Sequence, residues 1–197
     1  MLTADGQRSA TLAVVSGVTT VTVDAGVPQE TLIRVSTPAN SAVRPQLVQQ
    51  AGRVELFFGN TGHSGPSAVL IQLSSAVAWH LQFSGGATQT VLDLSHGDVS
   101  SIDFTAGSSL INMTLPQPHG TIPITLAGGA SQVMLTLPHG VPARLRLYGG
   151  ASTATLAGQT HVGLGGGTIL AALGWTSAAN RYDVDAPAGV SEISVAS

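Results

Sequence analysis

Residues 79–157 read WHLQFSGGATQTVLDLSHGDV-SSIDFTAGSSLINMTLPQPHG-TIPITLAGGASQVMLTLPHGV-PARLRLYGGASTATLA, where the hyphens separate successive repeats. Four glycines mark a repeat of about 21 residues: Gly86, Gly107, Gly129 and Gly150. Apolar residues stand three and five positions before each glycine and, with few exceptions, four and six positions after it. The positions between them are more polar. Because alternate side chains of a strand lie on opposite faces, the pattern predicts two short β-strands in every repeat.

A fixed repeat of this length is typical of a stacked architecture. The corners read S-G-G-A at 84–87, T-A-G-S at 105–108, A-G-G-A at 127–130 and Y-G-G-A at 148–151, so adjacent corners can approach closely. Like residues of successive coils should stack at the strand spacing of about 4.8 Å. We therefore predict an all-β fold, a single flattened β-solenoid with two parallel-stranded sheets and atypical end coils. The predicted buried row is Leu81, Phe83, Ile102, Phe104, Ile124, Leu126, Leu145 and Leu147.

The same offsets recur near both termini, around Gly17 and Gly189. We therefore expect one β-solenoid domain over residues 1–197. Regular coils should occupy 68–157 and irregular N-terminal coils 10–67, and a degenerate coil with a C-terminal cap should occupy 158–197. Atypical end coils fit the need of a stack to protect its open strand edges. Residues 24–28, D-A-G-V-P, predict a turn.

The composition excludes several classes of function. Charged residues are only 9% of the chain and its net charge is −3, so it lacks the clustered cations that nucleic acid requires. It contains no cysteine and therefore no disulfide. No apolar run is long enough to span a bilayer, and the N-terminus does not resemble a signal peptide. We expect a soluble protein or a fragment of a longer, anchored one.

The glycine-paced coils and the late segment R-Y-D-V-D-A-P-A-G-V-S-E-I-S-V at 181–195 resemble the bacterial "toast-rack" β-solenoid domains. These include the C-terminal domain of the cell-envelope stress regulator LiaF and adhesin-like relatives. The resemblance implies a bacterial cell-envelope protein, in most cases the extracytoplasmic part of an anchored chain, although a cytoplasmic location stays open. Such domains commonly lie beside membrane-spanning segments or a lipid anchor. The family brings no catalytic residues.

Three histidines at the second corner are the candidate metal ligands. His96, His119 and His139 each precede a glycine, and imidazoles from neighbouring coils could share a divalent metal. No carboxylate recurs beside them to orient the rings. We therefore favour His-Gly as a repeated turn dipeptide, and we expect no metal and no cofactor.

Two further groups of polar residues could carry a function. Arg144, Arg146 and Tyr148 alternate outward on one strand and form a possible partner surface. Asp93, Asp98 and Asp103 could suggest the acid clusters of carbohydrate-cleaving β-helices. However, Asp93 and Asp103 lie on different arms of one repeat, so we do not expect the close pair of carboxylates that such catalysis needs.

The sequence therefore favours a non-enzymatic envelope module that presents a rigid surface for binding or regulation. Its partner would be a protein or another envelope component. The first alternative is a self-assembling structural scaffold, because end coils can pair and oligomerise. The second is a β-helix enzyme that acts on polysaccharide.

Overall fold

Every repeat forms two β-strands joined by a glycine corner, as the alternation predicts. The computed structural model describes residues 1–3, 6–27 and 30–197 and contains only strands and turns among them. The first ten strands are β1 Leu2–Thr3, β2 Ser9–Val14, β3 Val18–Val27, β4 Thr31–Ser36, β5 Val43–Gln50, β6 Arg53–Asn60, β7 Ala68–Ser74, β8 Ala78–Phe83, β9 Ala87–Asp93 and β10 Asp98–Phe104. The next nine are β11 Ser108–Thr114, β12 Thr121–Leu126, β13 Ala130–Thr136, β14 Ala143–Leu147, β15 Ala151–Leu156, β16 Gln159–Leu164, β17 Thr168–Ala171, β18 Arg181–Ala186 and β19 Val190–Ala196.

The strands form two sheets. Sheet A has the order β1-β4-β7-β3-β9-β11-β13-β19-β15-β16, and sheet B has the order β17-β14-β18-β12-β10-β8-β2-β6-β5. Seven consecutive strands of each sheet are parallel, and each of seven coils gives one strand to each sheet. The predicted flattened β-solenoid is confirmed.

The coils do not stack in the order of the chain. Near the N-terminus, the coil β2–β3 lies between β6–β7 and β8–β9. Near the C-terminus, the coil β18–β19 lies between β12–β13 and β14–β15. The expectation that the Gly150 coil stacks directly on the Gly129 coil is therefore wrong. Both terminal segments are inserted one coil from an end of the stack.

Close packing between corners is consistent with this order. A Cβ atom added at Gly128 would lie 2.1 Å from the carbonyl carbon of Ala106, and one added at Gly149 would lie 2.3 Å from the amide nitrogen of Gly189. A corner whose two central residues are both glycine thus fits against a corner in which the first of these two residues is serine or alanine. The corners alternate between these types down the stack, in the order 16–17, 85–86, 106–107, 128–129, 188–189 and 149–150. The inserted corner at 188–189 separates two Gly-Gly corners.

Antiparallel strands close both ends of the stack. Strands β4 and β5 pair with β7 and β6 at one end, and β16 and β17 pair with β15 and β14 at the other. The sheets are therefore mixed, whereas the sequence predicts wholly parallel ones. Residues 159–171 form two cap strands, not the expected degenerate coil, because Ala157 and Gly158 both have positive φ and reverse the chain in a tight hairpin turn.

The apolar positions of the repeat form one continuous core. The predicted row is confirmed, since all its members are buried: Leu81, Phe83, Ile102, Phe104, Ile124, Leu126, Leu145 and Leu147. The predicted turn at 24–28 is wrong over its described part, because β3 continues to Val27. Ala25 and Val27 are buried against β7, with a bulge between them, and position 28 lies outside the described residues.

Candidate binding surfaces

Four charged side chains form a cluster on the outer face of sheet B, called here the arginine–aspartate cluster. Arg144 and Arg146 alternate on β14, beside Asp183 and Asp185 on the inserted strand β18. Arg144 donates hydrogen bonds from Nε and Nη2 to the two carboxylate oxygens of Asp183, at 2.9 and 2.7 Å. Arg146 donates from Nη2 to Asp183 at 3.0 Å and to Asp185 at 2.7 Å. The charges of the cluster are therefore compensated within the chain.

The indole of Trp175 covers this cluster. The guanidinium carbon of Arg144 lies 3.8 Å from the ring centroid, and that of Arg181 lies 4.3 Å from it. The indole N–H donates to the carbonyl of Tyr182 at 2.8 Å. Cation–π contacts stabilise by about 0.5–2 kcal/mol. The cluster and its cover hold the inserted strand β18 against β14.

The predicted partner surface is thus only partly accessible. The side chains of Arg144 and Arg146 are 24% and 28% exposed and both are ion-paired. Tyr148, which follows β14, is 53% exposed. A role for these three residues in partner binding stays a prediction.

The contacts of the two arginines with Asp183, Asp185 and Trp175 are not among the contacts predicted above. The sequence does contain a pattern that relates the two aspartates to the two arginines. They stand six and four positions before Gly189, as Arg144 and Arg146 stand before Gly150. Opposite charges at matching offsets indicate that the two coils are neighbours.

A second polar network crosses the other half of the same face. His80 Nε2 lies 2.7 Å from a carboxylate oxygen of Asp103 in the next coil. Arg53 on β6 donates to the side-chain oxygen of Gln82 on β8 at 2.7 Å, although β2 lies between them. The long side chain can do this because Ala13, one of the outward residues of β2 and the register partner of Gln82, is small.

The three corner histidines lie in turns of successive coils. His96, His119 and His139 are all exposed, after β9, β11 and β13 respectively. Within residues 1–3, 6–27 and 30–197, no three His, Cys, Asp or Glu side chains are placed to hold a metal ion.

The three aspartates that could suggest catalysis are divided between the sheets. Asp93 ends β9 in sheet A, whereas Asp98 and Asp103 belong to β10 in sheet B. The Ser95 hydroxyl and amide donate to Asp93 at 2.6 and 3.2 Å, and these hydrogen bonds hold the pKa of that carboxyl below its usual value. The carboxylate of Asp103 is in contact with the imidazole of His80. This arrangement does not resemble a pair of carboxylates around one substrate bond.

Tyr182 is a fully buried titratable group of the inserted coil. Its side chain is fully buried, and its hydroxyl donates to the carbonyl of Pro116 at 2.7 Å. Burial raises the pKa of Tyr182 far above its ordinary value, and the nearby Asp98 carboxylate adds to the shift. The residue therefore anchors β18 as a neutral phenol.

The outer face of sheet A, called here the A face, differs in character. Two central rows of outward side chains run across its seven parallel strands, in register. The rows are Ala68, Thr20, Gln89, Leu110, Gln132, Glu192 and Thr153, and Leu70, Thr22, Val91, Asn112, Met134, Ser194 and Thr155. Within these described rows, Glu192 is the only charged residue. The two central rows of the A face are therefore nearly uncharged, with apolar and amide side chains interspersed. A third row, beside the histidine corners, contains Asp24 and Asp93 on neighbouring strands.

A line of hydroxyl groups borders the A face along the glycine corners. Each parallel coil has a serine or threonine two positions after its corner glycine, or at the equivalent position in β6–β7, and most are exposed. In stack order these residues are Ser67, Thr19, Thr88, Ser109, Ser131, Ser191 and Ser152. The border adds hydrogen-bonding groups to the A face without adding charge.

Comparisons with known proteins identify the fold. No protein-family model matches the chain, and no curated protein sequence matches it. The crystal structure of a putative cell adhesion protein from Clostridium sporogenes is similar, with a TM-score of 0.65 and 14% sequence identity. The match covers 99% of this chain and 96% of that one. At this identity the likeness establishes a shared fold. In addition, the described residues contain no helix able to cross a membrane.

Proposed function

We propose that this chain is a non-enzymatic binding module of the bacterial cell envelope that contacts its partner through the A face. The observation that carries the proposal is the contrast between the two outer faces of the stack. The face of sheet B bears most of its charge in ion pairs and hydrogen bonds within the chain. Across the described residues of its two central rows, the A face has one charged side chain, Glu192, which accepts a long hydrogen bond from Gln132 at 3.4 Å. The other acidic residues described in its parallel strands, Asp24 and Asp93, lie in the row beside the histidine corners.

The composition of the A face suits a contact surface. The centres of protein interfaces are depleted in charged residues, and methionine is enriched there. Met134, Leu110 and Val91 lie on neighbouring strands and are only partly buried. A partner that covers them removes apolar surface from water at little desolvation cost, because few charges lie nearby.

The likeness to the Clostridium sporogenes protein supports an envelope or extracellular role, since that protein is described as a putative cell adhesion protein. Membership of the toast-rack, LiaF-like group and a regulatory role belong to the same proposal. So does tethering to a membrane by segments outside this chain. The division of the aspartates between the two sheets favours this function over polysaccharide cleavage.

The test is sedimentation of the purified chain with washed bacterial envelope fractions, with and without protease treatment to separate protein from glycan partners. Two A-face variants, Asn112→Arg and Met134→Arg, place a cation in the centre of the surface. Thr125→Arg, on the outer face of sheet B, is the matched control. We expect the A-face variants to weaken binding at least about tenfold, or about 1.4 kcal/mol, and the control to bind like the parent. Equal binding by all three variants would place the contact elsewhere.

A further inference from the structure

Antiparallel strands cap both ends of the stack, but the two ends close the core differently. At the N-terminal end, Leu32 and Ile33 of β4 are fully buried and close the core. At the C-terminal end, a cleft of about 530 Å³ opens between the cap strands β16 and β17. Leu156, Leu170 and Leu173 line it, together with His161 and Gln159 from β16. The last coil therefore leaves apolar surface accessible.

The strand edges at the two ends also differ. At the N-terminal end, β5 carries Arg44 and Pro45, and the described part of β1 has two residues. At the C-terminal end, β17 has four residues, whereas β16 is the last strand of sheet A and has six, with neither proline nor charge. Natural sheets protect their edges with prolines, charges or short strands. By these criteria β16 is the unprotected edge.

The surface around this edge is apolar and uncharged. Val162 on β16 is 74% exposed, and Leu173 at the rim of the cleft is 101% exposed. From Leu147 to Asn180 the sequence contains no Asp, Glu, Lys or Arg. A two-fold axis brings each surface against itself, so charged patches would repel one another, and this end has none.

We infer that the chain forms a closed homodimer through its C-terminal end, with β16 of one copy pairing antiparallel to β16 of a second copy. Antiparallel pairing about a two-fold axis joins the two A sheets into one continuous sheet. Leu173 of each copy then packs into the cleft of the other. Growth stops at two copies because the N-terminal edges are protected. The inference is independent of the proposed function, although a dimer would present two A faces and raise avidity.

The size of the end surface determines the expected affinity of the dimer. Strands of six residues are about 20 Å long and the two sheets lie about 10 Å apart, so the contact is small for a specific interface. We therefore expect a dimer in the micromolar range.

Analytical ultracentrifugation and light scattering across about 1–500 µM protein test the inference. The mass should rise from 19.8 kDa towards twice that value, with no larger species. Val162→Lys should weaken dimerisation at least about tenfold, by like-charge repulsion across the axis. Val48→Lys, at an exposed valine of the N-terminal edge strand β5, should leave dimerisation unchanged. Circular dichroism confirms that both variants fold.

A second measurement uses the absence of cysteine from the chain. Among single variants Thr160→Cys, His161→Cys and Val162→Cys, at least one should form a cross-linked dimer on mild oxidation, and Val48→Cys should not. A chain that stays monomeric throughout, a mass that grows beyond the dimer, or a dimer lost in Val48→Lys and kept in Val162→Lys would each overturn the inference.

Discussion

The rings of Phe83 and Phe104 stack face to face across two adjacent coils, with centroids 4.7 Å apart and planes 12° apart. The distance matches the spacing of strands in a sheet, about 4.7–4.9 Å. Both residues stand three positions before a corner glycine, and both are buried. The contact between the two rings therefore shows that equivalent positions of adjacent repeats lie in register.

Truncation of this stack should be costly. Phe104→Ala removes a buried ring and leaves a cavity beside Phe83, so we expect a loss of about 3–5 kcal/mol in the free energy of unfolding. Thr125→Ala, at an outward position of the next coil, should cost less than about 0.5 kcal/mol. Urea denaturation of both variants measures the difference. Similar losses at the two positions would mean that the register is wrong.

The corner packing makes a second prediction. Gly128→Ala places a methyl group against the backbone of Ala106, which cannot move freely within the stack, and should cost about 1–3 kcal/mol or more. Gly86→Ala is the matched control, since its nearest contact would be 3.4 Å, from the carbonyl oxygen of Gly107. Thermal and urea unfolding measure both. If Gly86→Ala proves the more damaging, the proposed corner alternation is incorrect.

The inserted coil should depend on its ion pairs. Asp183→Asn removes the carboxylate shared by Arg144 and Arg146, and we expect a loss of about 1.5–3 kcal/mol because hydrogen bonds to charged groups are lost at a largely buried site. Amide exchange in β18 should also become faster. Asp103→Asn, at the more exposed contact with His80 on the same face, should cost no more than about 1 kcal/mol. Unchanged exchange in β18 would argue against the role given to the cluster.

Burial of Tyr182 predicts a dependence of stability on alkaline pH. The phenol ionises near its ordinary pKa of 10.0 when the chain is unfolded, but burial raises its pKa in the folded state. The contribution of the neutral phenol to the free energy of unfolding is therefore fully present below pH 10. It is lost above that pH, by up to about 1.4 kcal/mol per pH unit. Tyr182→Phe should be about 1 kcal/mol less stable at neutral pH but should lose part of this alkaline slope. Tyr148→Phe is the control, because Tyr148 is exposed. An unchanged slope in Tyr182→Phe would contradict the assignment.

The sequence carries enough information for the coil itself. Alternation fixes which side chains face inward, since a shift of one residue would expose Leu81 and Ile102 together. The strand pair, the corner and the core row all follow from that local rule. The A face could be predicted from the same offsets, although the scarcity of charge in its central rows becomes meaningful only when the coils are placed side by side.

The order of the coils is harder to predict, because alternation is equally satisfied by any neighbour with the same offsets. Two non-local features are consistent with the observed order. The corner at 188–189 fits between two Gly-Gly corners, and Asp183 and Asp185 match the arginines of β14. The C-terminal cap follows from a local feature, the positive φ of Ala157, which alanine rarely adopts. The ion pairs of the candidate partner residues Arg144 and Arg146 are hard to predict because they also depend on the order of the coils, which places β18 beside β14.

Blocking one outer face at a time tests whether the A face is the contact surface. Asn112→Cys on the A face and Thr125→Cys on the face of sheet B each give a single thiol in a chain without cysteine, and a bulky polyethylene glycol maleimide can be attached to either. Binding of the labelled proteins to bacterial envelope fractions is then compared. We predict that the label on Asn112→Cys abolishes binding and that the label on Thr125→Cys leaves it intact. Binding that survives the label on Asn112→Cys and is lost with the label on Thr125→Cys would contradict a contact through the A face.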